Sequence, residues 1–407
     1  MTIGETHYAT RAARMHASEI RELLKLLDRP GVISFAGGIP DPALFPADAI
    51  RAGYDAALAA GGVALQYSVS EGYAPLRQWI ARHMASIGVP CAIDNIVVTS
   101  GSQQGLDYLG KLLLSPGDTA LVTWPTYLGA LQAFNPYEPR YDRLDPVHGN
   151  TTPEAYRAAA EAAGGRVALA YLTPDFANPS GETLSLAGRE RLLELARELD
   201  IPVIEDAAYQ ALRYDGEDVP PLLALDVAAE GGDIDRSRVI HCGTFSKTLS
   251  PGLRIGWICA GRELVQKLVL TKQASDLHTP TINQMVMHHA AERAYPVQVA
   301  KIRAAYRDRR DRMLAALQRH MPAGVTWTRP EGGMFIWVIL PEGLDGAELL
   351  ARAVDQGVAF VPGRAFHADG TGGNTLRLSF SLADAAAIEE GIGRLGRLIA
   401  ESARAAA

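Results

Sequence analysis

The segment around Lys247 combines residue types that could act on a carbonyl compound that carries a phosphate. Lys247 follows a predicted buried strand, with the hydroxyl side chains of Thr244 and Ser246 before it and Arg254 after it. A lysine amine becomes a nucleophile only when its surroundings let it deprotonate. Arginine and hydroxyl groups bind phosphate oxygens, so these neighbours suit a phosphate. Taken alone, the pattern fits a surface loop with a solvated lysine equally well.

A second group of polar residues follows the apolar run at 201–204 and contains Glu205, Asp206 and Tyr209. Carboxylates at the C-terminal end of a parallel strand face the crevice in which such sheets bind ligands. A buried Asp206 requires a cationic partner, and a protonated pyridine nitrogen would supply one. The alternative is that Asp206 caps a helix and that Tyr209 packs in the core.

Three further segments place polar or aromatic side chains where predicted strands end. Asn178 lies in an Asn-Pro-Ser-Gly sequence, which is a turn in any case and could also present its amide to a ligand. Segment 99–105 joins a strand to a helix through small residues, and the free N–H groups of a helix N-terminus bind phosphate. Tyr127 follows the next strand and could stack on a planar ring or pack in the core.

The elements that would position these residues alternate along the first two thirds of the chain. Short β-branched or apolar runs at 96–99, 166–172, 201–205 and 239–242 are separated by helical patterns such as 187–199. Short buried strands separated by helices are typical of parallel sheets covered on both faces. We therefore predict an α/β fold with a doubly wound, mostly parallel sheet.

The last third of the chain shows a different pattern, with a charged helix at 299–317 and strands at 333–339 and 375–379. This mixture predicts a smaller α+β domain. The N-terminal part begins with a helix capped by Ser18 and continues into a Gly/Pro-rich loop. The predicted organisation is an N-terminal segment at 1–50, a large domain at 51–295 and a small domain at 296–407.

Composition argues against several classes of function. The net charge of −7 and the pI near 5.8 offer no basic surface for nucleic acid or an anionic membrane. Three cysteines without a CxxC pair or a His/Cys cluster indicate neither a metal site nor a disulfide framework. The N-terminus lacks the pattern of a signal peptide, and the longest apolar stretch, 334–340, is too short to span a bilayer. We expect a soluble, cytoplasmic protein.

Considered together, the order and spacing of these motifs resemble fold-type I, class I/II aminotransferases over nearly the whole chain. The resemblance implies pyridoxal 5′-phosphate (PLP), held as a Schiff base on Lys247, and ping-pong transfer of amino groups between amino acids and 2-oxo acids. It implies catalytic roles for Lys247, Asp206 and Tyr209. The implied cofactor-binding residues are Tyr67, Ser102, Gln103, Tyr127, Asn178, Asp206, Tyr209, Thr244, Ser246, Lys247 and Arg254.

The resemblance also assigns contacts within that set. It implies Asp206 on the pyridine nitrogen, Tyr209 with Asn178 on the phenolic oxygen, and Tyr127 stacked on the ring. Tyr67 matches a tyrosine that reaches the phosphate of the neighbouring subunit. This match implies a homodimer with shared active sites.

For the substrate, Arg377 matches the arginine that holds the α-carboxylate. The N-terminal region is similar to that of the 2-aminoadipate and kynurenine aminotransferase group, in which Arg21 would meet a distal carboxylate. Arg21 fits a solvated helix charge equally well. The implied substrate-binding residues are Gly38, Arg21, Asn178 and Arg377. The group implies broad specificity, with 2-aminoadipate, aromatic or branched-chain donors and 2-oxoglutarate as acceptor.

The sequence departs from the family pattern at a few positions and leaves other functions open. Thr244 stands where serine is common, and Ala177 and Ser180 replace glutamine and threonine around Asn-Pro. The same fold and cofactor also support a β-lyase, a decarboxylase or a racemase, because fold does not determine function. A non-catalytic PLP-binding regulatory module is the alternative from another class.

Overall fold

The computed structural model describes Gly4, residues 7–15 and residues 31–406. Its strands are β1 (Ile33–Ser34), β2 (Ile96–Thr99), β3 (Thr119–Thr123), β4 (Arg140–Leu144), β5 (Val167–Leu172), β6 (Val203–Asp206), β7 (Val239–Thr244), β8 (Gly256–Cys259), β9 (Thr326–Trp327), β10 (Phe335–Ile339), β11 (Val358–Ala359), β12 (Val361–Pro362) and β13 (Thr375–Ser379). Its helices are α1 (Ala47–Ala59), α2 (Ala74–Ser86), α3 (Ser102–Leu113), α4 (Leu128–Phe134), α5 (Pro153–Ala162), α6 (Leu186–Leu199), α7 (Leu222–Ala229), α8 (Arg262–Gln273), α9 (Thr281–His320), α10 (Gly346–Asp355) and α11 (Ala385–Ala406). The predicted helix capped by Ser18 lies outside the described residues.

Seven strands form the central sheet, in the order β2-β8-β7-β6-β5-β3-β4. The pairs run parallel from β7 to β4, whereas β8 is antiparallel to both β7 and β2. The runs that predicted strands at 96–99, 166–172, 201–205 and 239–242 form β2, β5, β6 and β7. The prediction of an α/β fold with a mostly parallel sheet is confirmed.

Alternating side chains of the sheet enter two separate apolar cores. Leu121 and Val203 face one core, which also receives α2, α6, α7 and the first part of α9. Val122 and Ile204, their immediate neighbours, face the other core together with α3, α4 and α8. Successive side chains of a strand point to opposite faces, and a parallel sheet needs both faces covered. Because both faces of the sheet are buried, strands such as β5 are apolar at almost every position.

A second structural unit contains the antiparallel sheet β12-β13-β10-β9. Its apolar core includes residues of α10, α11 and the second part of α9, and Phe35 packs into it from the N-terminal part of the chain. Strand β1 pairs in parallel with β11, through Ile33 opposite Val358. The loop that follows β1 is thereby anchored beside the second unit, and this loop contains Gly38.

Helix α9 links the two units without a break. It contains 40 residues, including Pro296, although the sequence predicts only its second half as a helix. Proline inside a helix removes one backbone hydrogen bond, which weakens the sequence pattern at that point. The predicted domain boundary between residues 295 and 296 falls inside this helix, and the division into domains remains a prediction.

Within residues 7–15 and 31–406, none of the helices combines the length and apolarity required to cross a membrane. In the same ranges, no three His, Cys, Asp or Glu side chains are grouped as metal ligands would be. Cys91, Cys242 and Cys259 are all free thiols.

Candidate active site

Lys247 lies in a loop beyond the carboxyl end of β7, beside the loop that follows β6. Its Nζ is 5.7 Å from the ring centroid of Tyr209 and donates a 3.1 Å hydrogen bond to the carbonyl oxygen of Gly38. Burial, together with the positive charges of Arg377 and Arg254, lowers the pKa of Lys247 to about 8. A substantial fraction of the amine is therefore neutral near pH 8, as a nucleophile or proton acceptor requires.

Asp206 ends β6 as a buried carboxylate. Its Oδ2 accepts a 2.8 Å hydrogen bond from the hydroxyl of Tyr171, and its Oδ1 accepts a longer one from the backbone N–H of Ala208. Both donors are neutral. Burial raises the pKa of Asp206, because these hydrogen bonds and the charge of nearby Lys247 only partly offset the loss of hydration.

The neighbouring carboxylate, Glu205, points to the other face of the sheet and has a full set of protein partners. It accepts hydrogen bonds from the backbone N–H groups of Leu222 at 2.6 Å and Leu223 at 3.3 Å, where α7 begins. His241 on β7 lies 2.9 Å from Oε2 through its Nδ1. Despite complete burial, which raises it, the pKa of Glu205 is lowered by His241 and these backbone donors.

Arg377, on β13, extends from the second unit into the same region and is 2% exposed. Its Nη1 donates to Oδ1 of Asn178 and its Nη2 to the carbonyl oxygen of Ala36, both at 2.7 Å. Its Nε is buried and forms no hydrogen bond among the described residues. The guanidinium lies 4.3 Å from the ring centroid of Phe335, and burial lowers its pKa to about 10. A buried cation with one unused donor is suited to bind an anion.

Gly38 lies between these groups. A Cβ atom at this position would stand 3.1 Å from the Phe335 ring and 3.7 Å from Nη2 of Arg377. The backbone therefore approaches the Phe335 ring more closely than a side chain would easily permit, and its carbonyl oxygen meets Lys247.

The loop after β7 and the start of α3 form a polar corner. The hydroxyl of Thr244 is 2.9 Å from that of Ser246 and accepts a hydrogen bond from the Ser246 backbone N–H. Arg254 adopts a left-handed backbone conformation, with φ of 54°. Its guanidinium lies against Gly101, where a Cβ would come within 2.3 Å of Nη2. Ser102 begins α3 directly after this glycine, so a helix N-terminus, two hydroxyls and an arginine converge.

Tyr127 and Gln103 form one side of the region. The Tyr127 ring covers Gly129, where a Cβ would come within 2.4 Å of Cζ. The side-chain amide of Gln103 donates to the Gly129 carbonyl oxygen at 2.6 Å. Burial raises the pKa of the Tyr209 hydroxyl, and the proximity of Tyr127 raises it further, so the two rings are neighbours.

One predicted site residue, Tyr67, is not part of this group. Tyr67 is 78% exposed and packs edge to face on His278, with ring centroids 6.0 Å apart. Arg21 lies outside the described residues. The remaining predicted residues surround one region at the carboxyl ends of β5, β6 and β7, as expected for a parallel α/β sheet.

The sequence interpretation missed Tyr171, which donates to Asp206 from the last position but one of the neighbouring strand β5. A signal was present, because this hydroxyl lies in an otherwise apolar run from Val167 to Leu172 that is buried throughout. A buried phenol usually requires a hydrogen-bond partner, and the nearest predicted strand end carries a carboxylate.

Comparison with known proteins identifies the family. The model of the family described as aminotransferase class I and II matches residues 31–395. The chain belongs to this family. An aromatic-amino-acid aminotransferase of Thermococcus litoralis is 43% identical, covering 98% of this chain and 95% of that protein. A 2-aminoadipate transaminase of Thermus thermophilus is 44% identical, covering 95% of each chain.

A solved structure adds the cofactor. The α-aminoadipate aminotransferase of Thermus thermophilus, complexed with N-(5′-phosphopyridoxyl)-L-leucine, superposes with a TM-score of 0.87 at 40% identity and covers 98% of this chain and 99% of that one. The predictions of fold-type I architecture, PLP dependence and aminotransferase activity are confirmed. The same relatives favour transamination over the β-lyase, decarboxylase, racemase and regulatory alternatives.

Proposed function

We propose that this aminotransferase has broad specificity, accepting 2-aminoadipate, aromatic and branched-chain amino acids as donors and 2-oxoglutarate as acceptor. The names of its relatives support this range, since one acts on aromatic amino acids, another on 2-aminoadipate, and a third was solved with a leucine adduct. The observation that carries the proposal is the buried Arg377, whose Nε lacks a partner among the described residues, close to the deprotonatable Lys247.

The residues at the carboxyl ends of the strands fit PLP. Asp206 is a buried carboxylate whose hydrogen bonds come from neutral donors, so a pyridinium nitrogen would supply the missing positive charge. Oδ1 of Asn178 accepts from Arg377, and the Asn178 side chain is also hydrogen-bonded to the Tyr209 hydroxyl, so its amide nitrogen and Tyr209 would meet the phenolic oxygen together. Tyr127 would stack on the ring. We assign the phosphate to Ser102, Gln103, Thr244, Ser246 and Arg254, which combine a helix N-terminus with charge and hydroxyls.

When bound, PLP supplies an electron sink for the carbanion formed at the substrate Cα. Arg377 binds the substrate α-carboxylate and fixes the orientation of the Cα–H bond. Lys247, as a neutral amine, would accept the proton from the substrate Cα and, as an ammonium group, would deliver it to the cofactor carbon that carries the transferred nitrogen. Asp206 stays ionised against the ring nitrogen, and Tyr209 and Asn178 stabilise charge on the phenolic oxygen.

For the substrate side chain we propose contacts from Gly38 and Arg21. Gly38 supports this role because its backbone lies against Phe335 and Arg377, where a larger residue would occupy substrate space. Arg21 would provide a cation for the distal carboxylate of 2-aminoadipate, as in the sequence resemblance. An Arg21→Gln variant should therefore lose kcat/KM for 2-aminoadipate and keep it for leucine.

Specificity is tested by steady-state kinetics with 2-oxoglutarate and a panel of 2-aminoadipate, kynurenine, phenylalanine, tyrosine, leucine and methionine. We expect turnover with donors from at least two of the side-chain classes. Activity confined to one donor would refute broad specificity, and absence of any donor activity would refute the proposed range. Lys247→Ala should abolish turnover with every donor, and this variant serves as the background control.

We further propose a homodimer with shared active sites. The 78% exposure of Tyr67 supports it, because a partner subunit could receive this side chain. Mixed dimers of Tyr67→Ala and Lys247→Ala subunits test the idea, since one of their two sites would contain both native residues. Recovery of activity on mixing two nearly inactive variants is expected, whereas a fully active monomer in sedimentation would contradict the proposal.

We further propose that the protein is cytoplasmic, a location with which its free thiols agree.

A further inference from the structure

A groove separate from Lys247 runs between α2, the middle of α9 and the segment at residues 213–214. Its volume is about 870 Å³. This lies within the range of roughly 300–1,000 Å³ that is typical of small-molecule sites. The groove also lies where α9 passes from the core of the central sheet to the core of the second unit.

One wall of the groove is aromatic. The Trp79 and His83 rings are stacked, with centroids 5.2 Å apart, and Tyr295 meets Trp79 edge-on at 5.1 Å. Burial lowers the pKa of His83 to about 4, so its ring is uncharged at neutral pH. The three side chains are only partly buried and leave ring surface facing the groove.

The rest of the groove carries an excess of positive charge. Arg82, Arg213, Arg303 and Arg307 line it, against the single carboxylate of Glu292. Three of these arginines have acidic partners. Arg82 pairs with Glu292, Arg307 with Asp215, and Arg213 with Asp218 and Glu331, and all but Glu292 lie outside the lining. Arg303 donates through Nε to the carbonyl oxygen of Ala211 at 2.7 Å and pairs with no carboxylate among the described residues. The guanidinium of Arg303 is close enough to Tyr214 and Tyr295 to lower the pKa of both hydroxyls against the effect of burial, which raises them.

We propose that this groove binds a small aromatic carboxylate, with its ring on the Trp79–Tyr295 wall and its carboxylate on Arg303. A flat ring gains contact area and favourable edge-to-face geometry on such a wall. The Nη groups of Arg303, whose Nε donates to Ala211, offer a carboxylate paired hydrogen bonds. A neutral ring would leave this charge unused, and an anion without a ring would leave the aromatic wall exposed.

A ligand in the groove would touch the support of the catalytic lysine. Trp79 and Tyr295 both contact the Phe245 ring, at centroid distances of 5.3 Å and 6.3 Å. Phe245 is fully buried and precedes Ser246 and Lys247 in the same loop. The groove wall is therefore in contact, through Phe245, with the loop that carries Lys247.

The test is calorimetric titration of the PLP-loaded protein with indole-3-carboxylate, which has no amino or oxo group to react. All variants carry Arg377→Lys, so that the substrate arginine cannot hold the probe bidentately. Ala304 is exposed and lines the groove, which makes it a suitable place to introduce a charge of either sign. We expect Ala304→Glu to weaken binding by about tenfold or more, and Ala304→Lys to preserve or strengthen it.

A second pair of variants addresses the guanidinium itself. Arg303→Gln should weaken binding by about tenfold, whereas Arg51→Gln, on the exposed surface of α1, should leave it unchanged. If Arg303→Gln does not fold, the Ala304 pair decides. Absence of binding, or equal affinity in Ala304→Glu and Ala304→Lys, would overturn the proposal. Neither result depends on which amino acids the enzyme transaminates.

Discussion

Glu205 and Asp206 are consecutive carboxylates on β6, both buried, yet their surroundings differ completely. Glu205 faces the core beneath α7 and has His241 and two backbone N–H groups as partners. Asp206 faces the site and has only a phenol and one distant N–H. The pKa of the first is lowered and that of the second is raised.

The difference separates a structural carboxylate from a functional one. A buried charge that the protein itself satisfies contributes to the stability of the fold, because removing it leaves its partners unpaired. A buried charge that the protein leaves partly unsatisfied costs stability until a ligand arrives. Two carboxylates one position apart thus have opposite effects on folding.

Replacement of Glu205 should give the largest change in stability. Glu205→Ala leaves His241 and two N–H groups without an acceptor, so we expect a loss of about 3–5 kcal/mol in the free energy of unfolding. Because the folded-state pKa of Glu205 is lowered, its contribution is present above the unfolded value and is lost as pH falls through the folded one. Urea unfolding at neutral and acidic pH measures both effects. Glu205→Gln, which keeps one acceptor, is the matched control and should lose less.

Asp206→Asn should reverse this pattern, with a large loss of activity and no loss of stability. Without its carboxylate the ring nitrogen is no longer held positive, and kcat should fall by about a hundredfold or more. The raised pKa of Asp206 means that the ionised form opposes folding above that pKa, so the apoenzyme variant should be at least as stable at pH 7. Thermal unfolding of the apoenzyme and of the cofactor-loaded enzyme compares the stability of the variant with that of the wild type in both states. A variant that loses stability as Glu205→Ala does would remove the distinction between the carboxylates.

Tyr171→Phe should give the smallest effect and refine the assignment of Asp206. It removes one neutral hydrogen bond of 2.8 Å, which is worth about 1 kcal/mol, so PLP affinity should fall severalfold. The pH dependence of cofactor binding should also shift, because Asp206 loses a donor that favours its ionised form. Fluorescence titration of the apoenzyme with PLP across pH measures both. Unchanged affinity and pH dependence would show that Tyr171 only fills space.

In the central sheet, the sequence predicted residues at or just beyond strand ends and missed Tyr171, which lies within a strand. Lys247, Asp206 and Asn178 follow recognisable apolar runs, and a parallel sheet brings such ends together. Tyr171 sits inside β5, and its contact with Asp206 depends on the register between β5 and β6, which the sequence does not encode locally. The contact of Gly38 with Lys247 is similar, since it joins residues 209 positions apart.

The largest gap in the fold prediction concerns α9. The charged face at 299–317 predicted its second half, but the apolar residues of the first half, among them Val286 and Met287, are buried against the central sheet. A helix that is apolar at one end and charged at the other lacks a single amphipathic pattern. Pro296 reinforces the apparent break, although the structure continues through it.

This continuous helix also determines how the protein comes apart. At about 1.5 Å per residue its 40 residues span roughly 60 Å, with Val286 in one core and Tyr306 in the other. If either unit unfolds, the half of the helix that was buried in it becomes exposed. Isolated helical segments are marginal in water, so loss of that half also destabilises the half that remains in the other unit. Heating should therefore melt the chain in a single cooperative transition, and separately expressed halves cut at residue 295 should fail to fold alone.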